Sequence, residues 1–348
     1  MNSDKGQIKS ILLIRLGGLG DVVFTLPAVN AVKRAFPDAR ITYLVHKEFA
    51  SLLTCFPRVD EVVELDRALY RGLHPVTLLT GLLSLLRKLS PGRFDLTIDF
   101  QGFGETGWMS WWTRAPKRWG LVYRASRRWA YTHAIRRNDS LHPIEFQLDL
   151  LEKAGGISIT PLQNQLTVPT KTLEEARQLF AKWNLDLNSP TLFIQPFSKV
   201  DHKNWPLDNY LTIACELRDK GVQVIFGGGP SEQEVLKPIR QAGFAVAAGN
   251  PLVVSAALVD LSTVILGSDT GLLHVGLALG KRVVMIINST NPGKCFPFGH
   301  PDWTVVPENR LHISSVKPQQ VLQACVQTLA NAIPESAGLP GAVAKAAC

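Results

Sequence analysis

A strand, a glycine-rich turn and a helix open this chain, and the same order of elements restarts in its second half. Residues 11–14 (ILLI) form a short apolar run, closed by Arg15 and followed by the glycine cluster 17–20 and Asp21. Residues 22–36 then carry apolar side chains at helical spacing, interrupted by Pro27. Strand-like runs at 41–45, 61–65 and 94–99 alternate with helical stretches at 49–53, 77–89 and 142–154. After a linker-like stretch at 159–172, the pattern begins again with a helix at 173–183 and a strand at 191–195. Helix 207–220, strand 222–226, helix 231–242, strand 263–266, a helix ending at Leu279, strand 282–287 and helix 316–333 follow. Strands alternating with helices specify a parallel sheet covered on both faces.

The 348 residues suit about two such domains at roughly 150 residues each. The expected division is residues 1–165, residues 166–333, and an Ala/Gly/Pro-rich tail at 334–348 that is expected to be disordered. Ligands of open α/β sheets bind at the carboxyl ends of the strands, so two sheets facing one another would form a cleft between domains.

Composition removes several classes. With 46% hydrophobic and 19% charged residues the chain is globular rather than disordered. No apolar run reaches the ~18 residues of a membrane span. The longest, 76–86, is broken by Thr77, Thr80, Gly81 and Ser84 and reads as a buried or interfacial helix. The polar start runs directly into the first strand, so no signal peptide is expected and the protein is placed in the cytoplasm. Five scattered cysteines without a CxxC spacing argue against a disulfide framework and a zinc site.

The net charge of +8 is unevenly spread: residues 1–160 hold 22 of the 37 basic and 15 of the 29 acidic residues. Such an excess suits an anionic partner or simply a soluble surface. It is concentrated at 101–140, where five of the eight tryptophans stand with eight arginines and lysines against Glu105 and Asp139. No nucleic-acid-binding motif accompanies it, so a nucleic-acid partner is not expected.

Three turns at strand ends carry candidate chemistry. In the first, Gly18 and Gly20 permit close backbone approach to a ligand, but Val23 occupies the third glycine position of a dinucleotide fingerprint. Asp21 there reads as a helix cap or as a general base. In the second, residues 197–206 (FSKVDHKNWP), Lys199 and Lys203 are candidate phosphate ligands or plain surface lysines. In the third, residues 267–274 (GSDTGLLH), the helix start at Thr270 and Gly271 suits an anion. Asp269 suits sugar hydroxyls, and His274 is either a site group or a core histidine. Thr290, in the loop after the next strand, would line the same pocket. No metal signature occurs.

Taken in order, ILLIRLGGLGD at 11–21 with TLP at 25–27, KNWP at 203–206, FGGGPSE at 226–232 and SDTGLLH at 268–274 resemble the heptosyltransferases of glycosyltransferase family 9. The resemblance spans roughly residues 9–325. It departs at 288–292, NSTNP here, where the family commonly has Gly-Pro-Thr-Asp-Pro.

The resemblance implies a GT-B fold, two facing Rossmann-like domains with an interdomain cleft, acting without metal or cofactor. It implies an ADP-heptose donor bound mainly by the second domain. The acceptor would be the anionic Kdo- or heptose-bearing lipid A core, met at the cytoplasmic face of the inner membrane. By position, Asp21 is then the catalytic base and Lys203 stabilises the diphosphate leaving group. Lys199, Asp269, Thr270, Gly271, His274 and Thr290 would bind the donor, and Gly18, Gly20, Arg127 and Arg128 the acceptor. Two other readings stay open at this level: a GT-B transferase or epimerase using another nucleotide-sugar such as a UDP-sugar, and a non-catalytic nucleotide-sugar-binding module. The Trp/Arg segment at 108–137 either docks acceptor or membrane, or has tryptophans in the core and arginines on a solvated face.

Overall fold

The computed structural model describes residues 8–67, 75–158, 166–288, 295–308 and 312–332. The chain divides into two compact units, Met1–Gln165 and Leu166–Cys348. The tail at 334–348 and Thr290 lie outside the described residues.

The first unit runs β1 (Ser10–Ile14), α1 (Leu19–Ala35), β2 (Arg40–His46), α2 (Lys47–Ala50), β3 (Glu61–Leu65), α3 (Pro75–Lys88), β4 (Leu96–Asp99), α4 (Gly104–Trp112), β5 (Lys117–Val122), β6 (His133–Arg136) and α5 (Pro143–Gly155). Its six strands are all parallel, in the order β3-β2-β1-β4-β5-β6. The second unit runs α6 (Thr170–Lys182), β7 (Thr191–Gln195), α7 (Leu207–Asp219), β8 (Gln223–Gly228), α8 (Lys237–Gln241), β9 (Ala245–Ala248), α9 (Leu252–Leu261), β10 (Val264–Ser268), α10 (Gly271–Ala278), β11 (Arg282–Ile286), β12 (Thr304–Val305) and α11 (Pro318–Ala332). Its sheet, β12-β11-β10-β7-β8-β9, is also all parallel and repeats the same topology.

This order places one topological switch point in each unit, between β1 and β4 and between β7 and β10. There successive connections leave on opposite faces of the sheet, and a crevice opens at the strand ends. The central strands are covered on both faces: β4, β7, β10 and the apolar residues of β1 are buried, the polar Thr97 and Asp99 of β4 included.

Pro27 does not interrupt α1, which continues unbroken from Leu19 to Ala35. Buried Val22, Val23, Phe24, Leu26, Ala28 and Val29 surround it, and their packing outweighs the missing amide donor. The helix expected at 231–242 is instead a 3-10 turn, Pro230–Glu232, and the five-residue α8. Pro238, in the first turn of α8, has no amide with which to continue a preceding helix. Helix α5, expected at 142–154, ends at Gly155, with Gly156 at φ +56° closing the turn.

The tryptophan-rich stretch folds as α4, β5, a 3-10 turn (Ala125–Ala130) and β6. Its tryptophans divide: Trp119 on β5 is buried, Trp111 and Trp112 are half-buried, and Trp108 and Trp129 are exposed. Among the described residues no helix is long and apolar enough to cross a membrane.

Candidate functional site

Polar side chains gather at both switch points. In the first unit, Gly18 is the N-cap of α1 and Asp21 occupies the third helical position. The Asp21 carboxylate accepts the Gly18 amide through Oδ2 at 3.0 Å and pairs through Oδ1 with the Arg15 guanidinium at 2.7 Å. Arg15 is buried, and its other terminal nitrogen donates to the Phe100 carbonyl at 2.7 Å. Asp21 keeps 39% of its side chain exposed, so the oxygens are held and still reachable. A Cβ on Gly17 would lie 2.5 Å from Asp21 Oδ2, so a larger residue there would displace the carboxylate.

The strand beside β1 supplies the second half of this arrangement. β1 and β4 pair Ile14 with Asp99, so the loop after β4 runs beside the loop after β1. The Gly17 amide donates to Gln101 Oε1 at 3.1 Å. Asp99 is fully buried and accepts from the Gln101 amide (2.8 Å), the Gly102 amide (3.0 Å) and the Tyr131 hydroxyl (2.6 Å). Burial raises the Asp99 carboxyl above its usual range, opposed by the hydrogen bonds from Tyr131, Gly102, Thr106 and Gln101. Burial, followed by the adjacent Asp99, also pushes the Tyr131 hydroxyl upward, so it remains a donor.

Arg127 joins the same edge by donating to the Gly102 carbonyl at 2.8 Å, while Arg128 beside it is exposed. The structure thus links Asp21, Gly17, Gln101, Gly102 and Arg127 in one chain of contacts. Asp99, Gln101 and Tyr131 were not among the site residues read from sequence. Asp99 lies in an ordinary strand motif, and only the register with β1 gives it significance.

Asp99→Leu leaves three buried donors without an acceptor, and the expected loss is about 2–4 kcal/mol of unfolding free energy. Asp99→Asn keeps an oxygen for both amides and is expected to lose clearly less. Urea unfolding of the two variants measures this; equal losses would show that the carboxylate oxygens are not what holds the loop.

In the second unit the loop after β7 carries Lys199 and Lys203. Lys203 lies in a short 3-10 turn, Asp201–Lys203, just before α7. Its surroundings are pinned: Asn204 Oδ1 accepts the Ser198 amide at 2.7 Å, and buried Trp205 donates from Nε1 to the Val316 carbonyl at 3.0 Å. The Trp-Pro of KNWP is therefore structural, and it presents Lys203. Lys203 Nζ lies 2.6 Å from Asp269 Oδ2, and His274 Nε2 lies 3.1 Å from Asp269 Oδ1. Burial works against the Asp269 charge. The hydrogen bond and charge of His274, and then Lys203, outweigh it and hold the carboxyl below the usual range.

Thr270 caps α10, and Gly271 is the first residue of that helix. The Thr270 hydroxyl makes no hydrogen bond to its own helix, and its oxygen is buried without a partner among the described residues. Lys199 is exposed in the loop after β7. In the glycine turn after β8, Glu232 accepts the Gly229 amide, which fixes the turn. Among the described residues no group of three or more His, Cys, Asp or Glu could hold a metal ion.

These features define an α/β protein of two Rossmann-like units, each with a polar cluster at its switch point. The chain belongs to glycosyltransferase family 9 (heptosyltransferase), whose sequence model matches residues 82–324, and it is accordingly a transferase. It is 24% identical over 303 residues to the lipopolysaccharide core heptosyltransferase OpsX of Haemophilus influenzae, covering 84% of this chain and 83% of the relative.

Among solved structures, a glycosyl transferase family 9 protein of Veillonella parvula superposes with a TM-score of 0.81 at 22% identity, covering 93% of this chain and 97% of that one. The Escherichia coli heptosyltransferase WaaC, solved with ADP-2-deoxy-2-fluoro heptose, superposes with a TM-score of 0.73 at 20% identity, covering 90% and 98%. The likeness shows the GT-B fold expected from the sequence.

Proposed function

We propose that this chain transfers L-glycero-D-manno-heptose from ADP-heptose to the Kdo- or heptose-bearing inner core of lipopolysaccharide, with inversion at the anomeric carbon. The observation that carries the reading is the second-unit cluster in a family 9 chain. Lys203, Asp269 and His274 stand together beside the start of α10, where the Thr270 hydroxyl oxygen is buried without a partner. A buried hydroxyl of that kind calls for a partner, and a helix N-terminus supplies amides and a favourable dipole for phosphate. The heptosyltransferase solved with an ADP-heptose analogue supports the choice of donor.

In this reading the second unit binds the donor. Thr270 and Gly271 present the start of α10 to the diphosphate, and Asp269 accepts hydrogen bonds from heptose hydroxyls. Lys199 and Thr290 add contacts from the neighbouring loops. Asp21 takes the proton of the acceptor hydroxyl as its oxygen attacks the anomeric carbon from the face opposite the diphosphate. The bond to the diphosphate breaks, and Lys203 balances the charge that grows on the departing oxygen. His274 keeps Asp269 ionised and in place. Gly18 and Gly20 leave room for the acceptor beside Asp21, and Arg127 and Arg128 meet its carboxylates and phosphates. The acceptor's lipid part places the enzyme on the cytoplasmic face of the inner membrane.

The deciding experiment measures ADP release from ADP-heptose with and without a deacylated Kdo-lipid A acceptor. Acceptor-dependent release is the expected result. Release from a UDP-sugar instead would move the donor assignment to another nucleotide-sugar, and binding without turnover would favour a non-catalytic module.

A further inference from the structure

Among the described residues, helix α3 buries one side and exposes apolar side chains on another. Leu85 and the following Leu89 are buried in the core of the first unit. Val76, Leu79, Leu82 and Leu83 are exposed by 60, 56, 38 and 45%. Their three- and four-residue steps put them along one side of the helix. Scattered exposed leucines need no explanation, but four on one helix form a patch that does.

The patch continues onto α4. Trp112 donates from Nε1 to the Leu86 carbonyl at 3.4 Å, and Trp108, itself exposed, stacks on Trp112 with ring centroids 5.6 Å apart. Charge separates the possible occupants of this surface. Arg87 and Lys88 close α3 and are exposed, and residues 67–94 contain no aspartate or glutamate. An apolar stripe edged by cations and exposed indole, on a helix that carries no acid of its own, matches an anionic lipid surface; the exposed Glu105, three residues before Trp108 on α4, is outnumbered by Arg87 and Lys88.

At ~1.5 Å per residue the 14-residue helix is about 21 Å long, too short to span a bilayer and suited to lying in its interface.

We infer that α3, with Trp108, is a lipid-docking surface that seats the first unit on an anionic membrane. The choice of partner rests on the lipid-linked acceptor proposed above, and the test below reads lipid binding without any turnover.

The full chain is sedimented with vesicles of phosphatidylcholine alone and of phosphatidylcholine mixed with phosphatidylglycerol. Binding to the anionic vesicles is expected. Leu79→Glu/Leu83→Glu should weaken it at least about 10-fold by removing two inserted side chains. Arg87→Glu/Lys88→Glu should weaken binding to the anionic vesicles alone, again about 10-fold. Leu79→Ser/Leu83→Ser provides a milder variant, and thermal melts confirm that each variant is folded.

ADP release with the deacylated, soluble acceptor should be unchanged in all three. Wild type remaining in the supernatant, or the glutamate variant binding as well as wild type, would overturn the inference. Light scattering that shows a dimer lost in the glutamate variant, with vesicle binding intact, would assign the face to a second copy and equally overturn it. Absence of turnover in every protein would strike the proposed reaction and leave the vesicle result standing.

Discussion

Asp21→Ala lowers acceptor-dependent turnover by about 10²–10⁴-fold if Asp21 removes the acceptor proton. The geometry supports that size of effect. The carboxylate is fixed by the Gly18 amide and the Arg15 guanidinium, and Arg15 is itself held by the Phe100 carbonyl. A base held in this way loses little freedom when substrate arrives.

Asp21→Asn separates charge from shape: it retains the volume and the hydrogen bond from Gly18 but cannot take a proton, and should be nearly as slow as alanine. Gly17→Ala tests position alone. The added methyl meets Asp21 Oδ2 and should cost on the order of 10²-fold through displacement of about 1 Å, with ADP-heptose affinity unchanged. Steady-state rates and ADP-heptose titrations of the three variants give the answer. Full activity in Asp21→Ala would remove this residue from the chemistry.

The second large effect is at Lys203. Lys203→Ala should lower kcat by about 10²–10³-fold, the range for loss of one group that stabilises developing negative charge. KM for the donor should change less than kcat, because charge on the diphosphate grows only as the bond to the sugar breaks. Lys203→Arg should recover part of the rate. A rise in KM with kcat preserved would make Lys203 a ground-state ligand only.

The pair also sets a pH signature. Asp269 is held below the usual carboxylate range in the folded protein. Its contribution to stability is therefore complete above the unfolded value of about 3.9 and is lost as pH falls through the lower folded value. Unfolding free energies of wild type and Asp269→Asn should differ by a constant amount from about pH 5 to 7 and converge on strong acidification. A difference that grew with rising pH across neutrality would mean that another group controls the pair.

Much of the architecture was legible because apolar periodicity reports directly on burial. Strand 191–195 and its companions were visible as short apolar runs, and glycine turns marked where the runs at 11–14, 222–226 and 263–266 end. β5, β6, β9 and α9 were less visible. The first two lie in a stretch whose tryptophans and arginines obscure alternation, and β9 is four small residues, Ala-Val-Ala-Ala. Pro27 was misleading because a local rule about amide donors was overridden by packing on both sides of it.

The sequence by itself determined the two α/β units, the glycine turns and the polar residues that follow the strands, since these depend on local spacing and on residue type. It could not show that Trp205 anchors the loop of Lys203, that Asp269 stands between a lysine and a histidine, or that Asp99 supports the loop beside Asp21. Those relations join residues as far apart as 111 positions. Trp205 reaches Val316 because α7 packs against α11; the contacts of Asp269 and of Asp99 exist because parallel strands with crossover helices bring the ends of β7 and β10, and of β1 and β4, side by side. Residue type supplies the charge and the donor; strand order and register decide which other groups lie within hydrogen-bond distance of it.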